Sequence, residues 1–216
     1  MIAIRWRSRS NAQASDKPIV GRVVGLGMLS SGVALVTHII SGVSLRLGVM
    51  VAGSVLVLSF SWLYWGLVPE ERSQTTRQLL IGLKGGIAAT VAYDVTRFVL
   101  WNYRPTGYNP FEVIHAFGVS LVGPSGAPYL VYGGGTTFHL ANGICFGIAY
   151  WMLFGHYGRL AAVAWAAFLE AFQLTLYPGW LDIRFYREFV QIATLSHLMY
   201  GGVLGCSCHW LRNRGP

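Results

Sequence analysis

The sequence predicts an all-α fold, a polytopic transmembrane helix bundle of six spanning helices plus a broken or re-entrant fourth segment. Three observations predict it. Hydrophobic residues make up 54% of the chain and charged residues only 11%, against roughly 25% charged in soluble domains. The apolar residues fall in long runs, 19–40, 47–68, 79–101 and 160–177 among them, each near the roughly 17–25 residues a helix needs to cross a bilayer. Glycine, at 27 residues, weakens soluble helices but lets helix backbones approach closely in lipid. Together these exclude a water-soluble globular domain. They imply one transmembrane helical domain, 19–211, after a basic cytoplasmic tail, 1–18, and before a short C-terminal tail, 212–216.

The first two runs form a hairpin around residues 41–46, and Pro69-Glu70-Glu71-Arg72 ends the second with polar, breaking chemistry. A third run starts near Leu79 and stops before Asn102-Tyr103-Arg104-Pro105. Asn109, Pro110 and Glu112 read as the N-cap, first and third positions of a capping box that opens a fourth segment. Gly123-Pro124-Ser125-Gly126-Ala127-Pro128 breaks that segment after roughly 13 residues, or about 20 Å at 1.5 Å rise, too short to span. Either it is re-entrant, or it crosses as a kinked helix continuing to Tyr132, with neighbours satisfying the freed backbone groups. The positive-inside rule does not separate the two paths, which place similar shares of the basic residues on the cytoplasmic side. Beyond Gly133-Gly134-Gly135, spans are predicted at 137–154, 160–177 and 185–210.

Gly21 and Gly25, Gly143 and Gly147, and Gly201 and Gly205 each stand four residues apart, which predicts tight helix crossings. The last two pairs also offer a seam through which a second copy or another helix is expected to dock. The net charge of +8 is densest at Arg5, Arg7, Arg9, Lys17 and Arg22, just before or within the start of the first apolar run. Anionic headgroups of the lipid bilayer, rather than nucleic acid, are the expected partner, and the cluster predicts a cytoplasmic N-terminus.

Ionisable groups inside a span are costly and face the bundle interior. Glu112, His139 and Glu188 fall near predicted helix starts, where capping chemistry explains them. Asp94, Glu170 and His197 lie deeper. Asp94 and Arg97, three apart, share a helix face and suit an ion pair. Glu170 and Gln173 share a face, as do His139 and Asn142 one helix earlier, and His197 is expected to face Glu170 and share its proton. The predicted polar interior is therefore Asp94, Arg97, His139, Asn142, Glu170, Gln173 and His197. It has two readings: handling of protons or a small polar solute, or mere specification of helix packing in a scaffold or partner subunit.

Enzymatic and metal readings are weaker on the residues. Glu112-x-x-His115 has the spacing of carboxylate-bridged di-iron helices, but Glu170-x-x-Gln173 and Glu188-x-x-Gln191 supply glutamine, a poor ligand. His139 and His197 carry no haem spacing signature, and Cys206-Ser-Cys208-His209 lacks a fourth ligand. No metal or cofactor is expected, and no nucleotide loop occurs. Gly123-Pro124-Ser125-Gly126 resembles the Gly-x-Ser-Gly loop of rhomboid proteases, with His197 before Gly201 and Gly205 as on their base-bearing helix. Pro124 and Pro128 bracket that serine, however, and the family's upstream His and Asn have no counterpart, so the string reads as a turn.

Over residues 138–205, His139, Tyr150, Gln173, Tyr177-Pro178, Glu188, His197-Leu198 and Tyr200 occur in an order and mostly at spacings that resemble the YagU-like family of bacterial inner-membrane proteins. The 178–188 loop differs in length, and the N-terminal half shows no match. The resemblance implies a multi-pass protein of the bacterial inner membrane and supplies no reaction, substrate or cofactor.

Overall fold

The computed structural model describes residues 19–103 and 107–214, and every regular element among them is helical. The basic tail 1–18 and the Arg104-Pro105 pair lie outside the described residues. Helices α1 (Ile19–Gly27) and α2 (Ser30–Ser41) make one interrupted apolar stretch, α3 (Leu45–Gly66) follows it, and α4 (Pro69–Tyr103) is the longest element. A short α5 (Glu112–Val122) precedes α6 (Pro128–Phe154), a 3-10 turn (Gly155–Tyr157), α7 (Arg159–Trp180) and α8 (Tyr186–Arg214). Five stretches are long and apolar enough to cross a membrane: Val20–Ser41, Pro69–Tyr103, Pro128–Tyr157, Arg159–Trp180 and Tyr186–Arg214. Leu45–Leu58 and Glu112–Val122 are shorter apolar helices.

Several boundaries differ from the sequence expectation, each for a physical reason. Pro69 opens α4 instead of closing the preceding span. Its fixed φ suits the first helical turn, and Glu70 and Glu71 complement the helix dipole there. The glycine triplet 133–135 lies inside α6, which starts at Pro128. A helix tolerates these glycines because a neighbour uses them: a Cβ on Gly135 would collide with the Ile114 carbonyl, and one on Gly118 with that of Val131. The hairpin between α5 and α6 turns at Gly123, whose φ of +102° disfavours any other residue. At the start of α5, Asn109 Oδ1 accepts from Phe111 N at 3.0 Å, two residues on, and the helix begins at Glu112. Pro178 is carried inside α7 near its end, and α8 runs on through Arg212 to Arg214, into the predicted tail.

Helix α4 is the hub. It packs along both α6 and α8, and α8 packs in turn along α7. The contacts run through small residues. A Cβ on Gly86 would stand 2.9 Å from the Ile144 carbonyl, one on Gly82 would stand 2.8 Å from Ile148 Cα, and one on Gly147 would strike Gly86 itself. Gly85 faces Cys208, Gly143 faces Thr90, Gly201 faces Ala162 and Val163, and Gly205 faces Arg159. All four glycines of the predicted C-terminal seams therefore meet helices of this same chain. The core beside these crossings holds Tyr150, Trp151, Ala162, Ala166, Tyr200 and Leu204.

Gly201 and the adjacent Gly202 give an internal comparison, because a Cβ on Gly202 meets nothing within 4 Å. Gly201→Leu is expected to destabilise by about 1–3 kcal/mol, the cost of overpacking, and Gly202→Leu to leave stability close to native. Thermal unfolding of the two variants in detergent tests this, and equal melting points would remove the α7–α8 crossing from the account.

Candidate intramembrane site

The hub helix presents Thr90, Tyr93, Asp94 and Arg97 within two turns, and α6 and α8 run antiparallel to it. Gly86 meets Gly147, so Asp94, two turns further on, arrives opposite His139. His139 Nε2 donates to Asp94, at 2.8 Å from Oδ1 and 3.0 Å from Oδ2. The predicted Asp94–Arg97 pair is present but longer, at 3.9 Å. Arg97 is buried, its guanidinium 5.2 Å from the ring centres of both Tyr93 and Phe111. His139 reaches this depth because α6 starts at Pro128, about three turns earlier. It is an interior residue, whereas a helix starting at residue 137 had put it near the interface.

On α8, His197 Nδ1 donates to the Ala193 carbonyl at 3.0 Å. A carbonyl only accepts, so the proton of the neutral ring sits on Nδ1 and Nε2 keeps its lone pair. Nε2 has no hydrogen-bond partner among the described residues, although His197 is only 8% exposed. Its ring meets Tyr93 edge-on at 5.0 Å. Tyr93 in turn donates its hydroxyl to Gln173 Oε1 on α7 at 3.3 Å. Asn142 on α6 accepts from Ser31 of α2 at 2.7 Å. Both amides thus spend their oxygen on the protein and keep their N–H donors.

His139, Asn142, Gln173, His197 and Tyr93 all line one cavity of about 330 Å³. Its other walls are mostly apolar, from Leu29 and α2 (Val33, Leu35, Val36, Ile39) and from α7 (Phe168, Leu169, Phe172, Leu176). Val33, Phe168 and Phe172 are 61%, 51% and 43% exposed on the outer surface. The cavity therefore opens sideways, between α2 and α7.

Glu170 lies elsewhere. It is buried and accepts from Thr194 Oγ1 at 2.5 Å, across the α7–α8 contact, and it does not line the cavity. The structure thus brings Asp94, Arg97, His139, Asn142, Gln173 and His197 into one neighbourhood, and gives Glu170 a threonine where the sequence suggested His197. Glu188 accepts from the Tyr108 backbone N–H at 3.1 Å and ties the 107–111 link to α8. Ser125 is exposed in the α5–α6 turn and has no hydrogen bond to His197. Among the described residues, no three His, Cys, Asp or Glu side chains gather as a metal-binding group.

Sequence reasoning missed Tyr93, Thr194, His38 and the role of Tyr200. His38 donates from Nδ1 to the Val43 carbonyl at 2.8 Å and accepts at Nε2 from Ser120, 3.0 Å away, which joins α2 to α5. Tyr200 donates to the Gly143 carbonyl at 2.7 Å. The available signal was helical spacing: Tyr93 stands four before Arg97, and Tyr200 three after His197.

Compared with known proteins, the chain matches no family model, no curated protein and no solved structure.

The Glu170–Thr194 bond predicts an order of stabilities. Thr194→Val strands a buried acid without its donor and is expected to cost about 1–3 kcal/mol. Glu170→Gln keeps an oxygen for Thr194 and is expected to stay near native. Melting curves in detergent compare them; a Glu170→Gln protein less stable than Thr194→Val would assign Glu170 more than a packing role.

Proposed function

We propose that this chain is a multi-pass membrane protein that takes a small amphipathic solute into the sideways-opening cavity and exchanges protons at the Asp94–His139 pair. The observation that carries the reading is His197 Nε2, an acceptor without a donor among the described residues, on a side chain only 8% exposed at the wall of a mainly apolar cavity. A hydroxyl-bearing solute in the cavity would donate to it, a hydrogen bond with a net worth of about 1 kcal/mol. The cavity falls in the size range of small-molecule sites, whose walls are apolar with a few placed polar groups. Gln173 and Asn142 supply donors for an oxygen on the same solute. The proton step rests on His139, whose ring joins the cavity to the Asp94 carboxylate.

The proposal includes a topology. Six spans, formed by α1 with α2, α3, α4, α6, α7 and α8, surround a re-entrant α5. Antiparallel packing of α4 on α6 supports it, since the end of α4 and the start of α6 then share one membrane face. Arg72, Arg77, Arg159, Arg212 and Arg214 collect at the opposite face with the N-terminal end of α1, which the positive-inside rule assigns to the cytoplasm. The resemblance to YagU-like proteins points to the bacterial inner membrane as the location.

The probe for the cavity is 4-hydroxybenzophenone, which has a phenol to donate to His197 and a photoreactive apolar body. Irradiation with the full chain in lipid nanodiscs is expected to place adducts on α2 and α7 peptides that line the cavity. His197→Phe, which keeps a ring against Tyr93, is expected to lower that labelling by about tenfold, the equivalent of one hydrogen bond at the upper end of its net worth. Labelling that is indifferent to His197→Phe, or scattered over the outer face of α3, would count against the proposal.

A further inference from the structure

A second concavity lies away from that cavity, between α3, α4 and α8. It has a volume of about 620 Å³ and is lined by Tyr64, Arg72, Ser73, Arg77, Lys84 and Leu211 among others. Ser73, Arg77, Leu80 and Lys84 follow the i, i+4, i+7, i+11 spacing of a single helix face. None of the three cations has a carboxylate within 4.0 Å among the described residues, where the ion pairs involve only Arg97, His139 and Arg184.

Arg72 is held ready. Its guanidinium lies 5.2 Å from the Tyr64 ring centre and 5.5 Å from that of Trp65, and its NH2 group donates to the Trp65 and Leu67 carbonyls at 3.4 and 3.3 Å. Its Nε is buried and has no partner. Arg77 donates to the Arg212 carbonyl at the end of α8, at 3.3 Å. Helix α4 has 35 residues, about 52 Å at 1.5 Å rise, which exceeds the roughly 30 Å hydrocarbon thickness. Its first turns, with Arg72 and Arg77, therefore stand at headgroup height, and Leu80 and Ile81 continue the groove towards the acyl chains.

We infer that this groove binds a phosphate-bearing anion, namely the headgroup of an acidic diacyl phospholipid. Arg72 and Arg77, without acids, attract the phosphate at headgroup height, Lys84 reaches back towards it from about two turns deeper, the hydroxyl of Ser73 hydrogen-bonds it, and Leu80 and Ile81 take the start of an acyl chain. Basic recesses between transmembrane helices on the cytoplasmic side are suited to such headgroups. This site is independent of the solute cavity.

Native mass spectrometry of the full chain, released from detergent with added phosphatidylglycerol or phosphatidylcholine, tests the assignment. Phosphatidylglycerol is expected to remain bound, and the Arg77→Gln/Lys84→Gln double variant to lower its retention by about tenfold. Phosphatidylcholine retention is expected to be unchanged. The charge-matched control Arg184→Gln/Arg187→Gln, at the other face, is expected to keep native phosphatidylglycerol binding, and thermal melts confirm that each variant folds. Equal retention by the groove variant, or equal loss in the control, would overturn the site. Displacement of the lipid by inorganic phosphate would overturn the lipid as its source.

Discussion

The contact between Gly86 of α4 and Gly147 of α6 is the constraint on which the remaining arrangement depends. With no Cβ on either residue, the two backbones come together closely enough that a Cβ on Gly86 would stand 2.9 Å from the Ile144 carbonyl. The side chains of two packed helices are fixed in register by such a crossing. Two turns along, the same register sets Asp94 against His139 and lets both carboxylate oxygens accept from one ring N–H. On the other side of α4, Gly85 admits Cys208 of α8, and that second crossing carries His197 to the edge of Tyr93. Small residues at the crossings and polar residues two turns away are thus parts of one device.

Apolar helices long enough to cross a bilayer set the terms on which the polar groups sort. Hydrocarbon offers no hydrogen bonds, so each buried polar group must find a partner within the protein or remain costly. Glu170 finds Thr194, Tyr200 finds the Gly143 carbonyl, and Asn142 finds Ser31. Thr75 Oγ1 and Trp165 Nε1 are buried without a hydrogen-bond partner among the described residues, whereas the partnerless Nε2 of His197 belongs to a side chain that lines the cavity.

Much of the architecture was legible in the sequence because length, hydropathy and glycine spacing are local properties. The long apolar runs mark the helices, and the Gly143/Gly147 and Gly201/Gly205 pairs mark two of the crossings. Boundaries were less legible. Pro69 and the triplet Gly133-Gly134-Gly135 have breaking chemistry, yet helices run from or through them, since tertiary contacts such as Gly135 on Ile114 decide the outcome. Six of the seven predicted interior residues do gather, because depth and helix face are readable from spacing. Their pairing was not readable: which of two acids a histidine meets depends on helix register across the bundle, and a one-turn shift in the start of α6 moves His139 by about 5.4 Å.

The protonation pattern of the two cavity histidines is the most direct consequence of this geometry. Solid-state NMR of the full chain in lipid bilayers, with 15N-labelled histidine and His139→Gln and His197→Phe variants for assignment, reads it nitrogen by nitrogen. The account predicts that in the solute-free protein His139 carries its proton on Nε2, hydrogen-bonded to a carboxylate, and that His197 is neutral with its proton on Nδ1 and a bare Nε2. A His197 protonated at Nε2, with Nδ1 bare, would contradict it, because the acceptor on which the proposed solute binding depends would not exist.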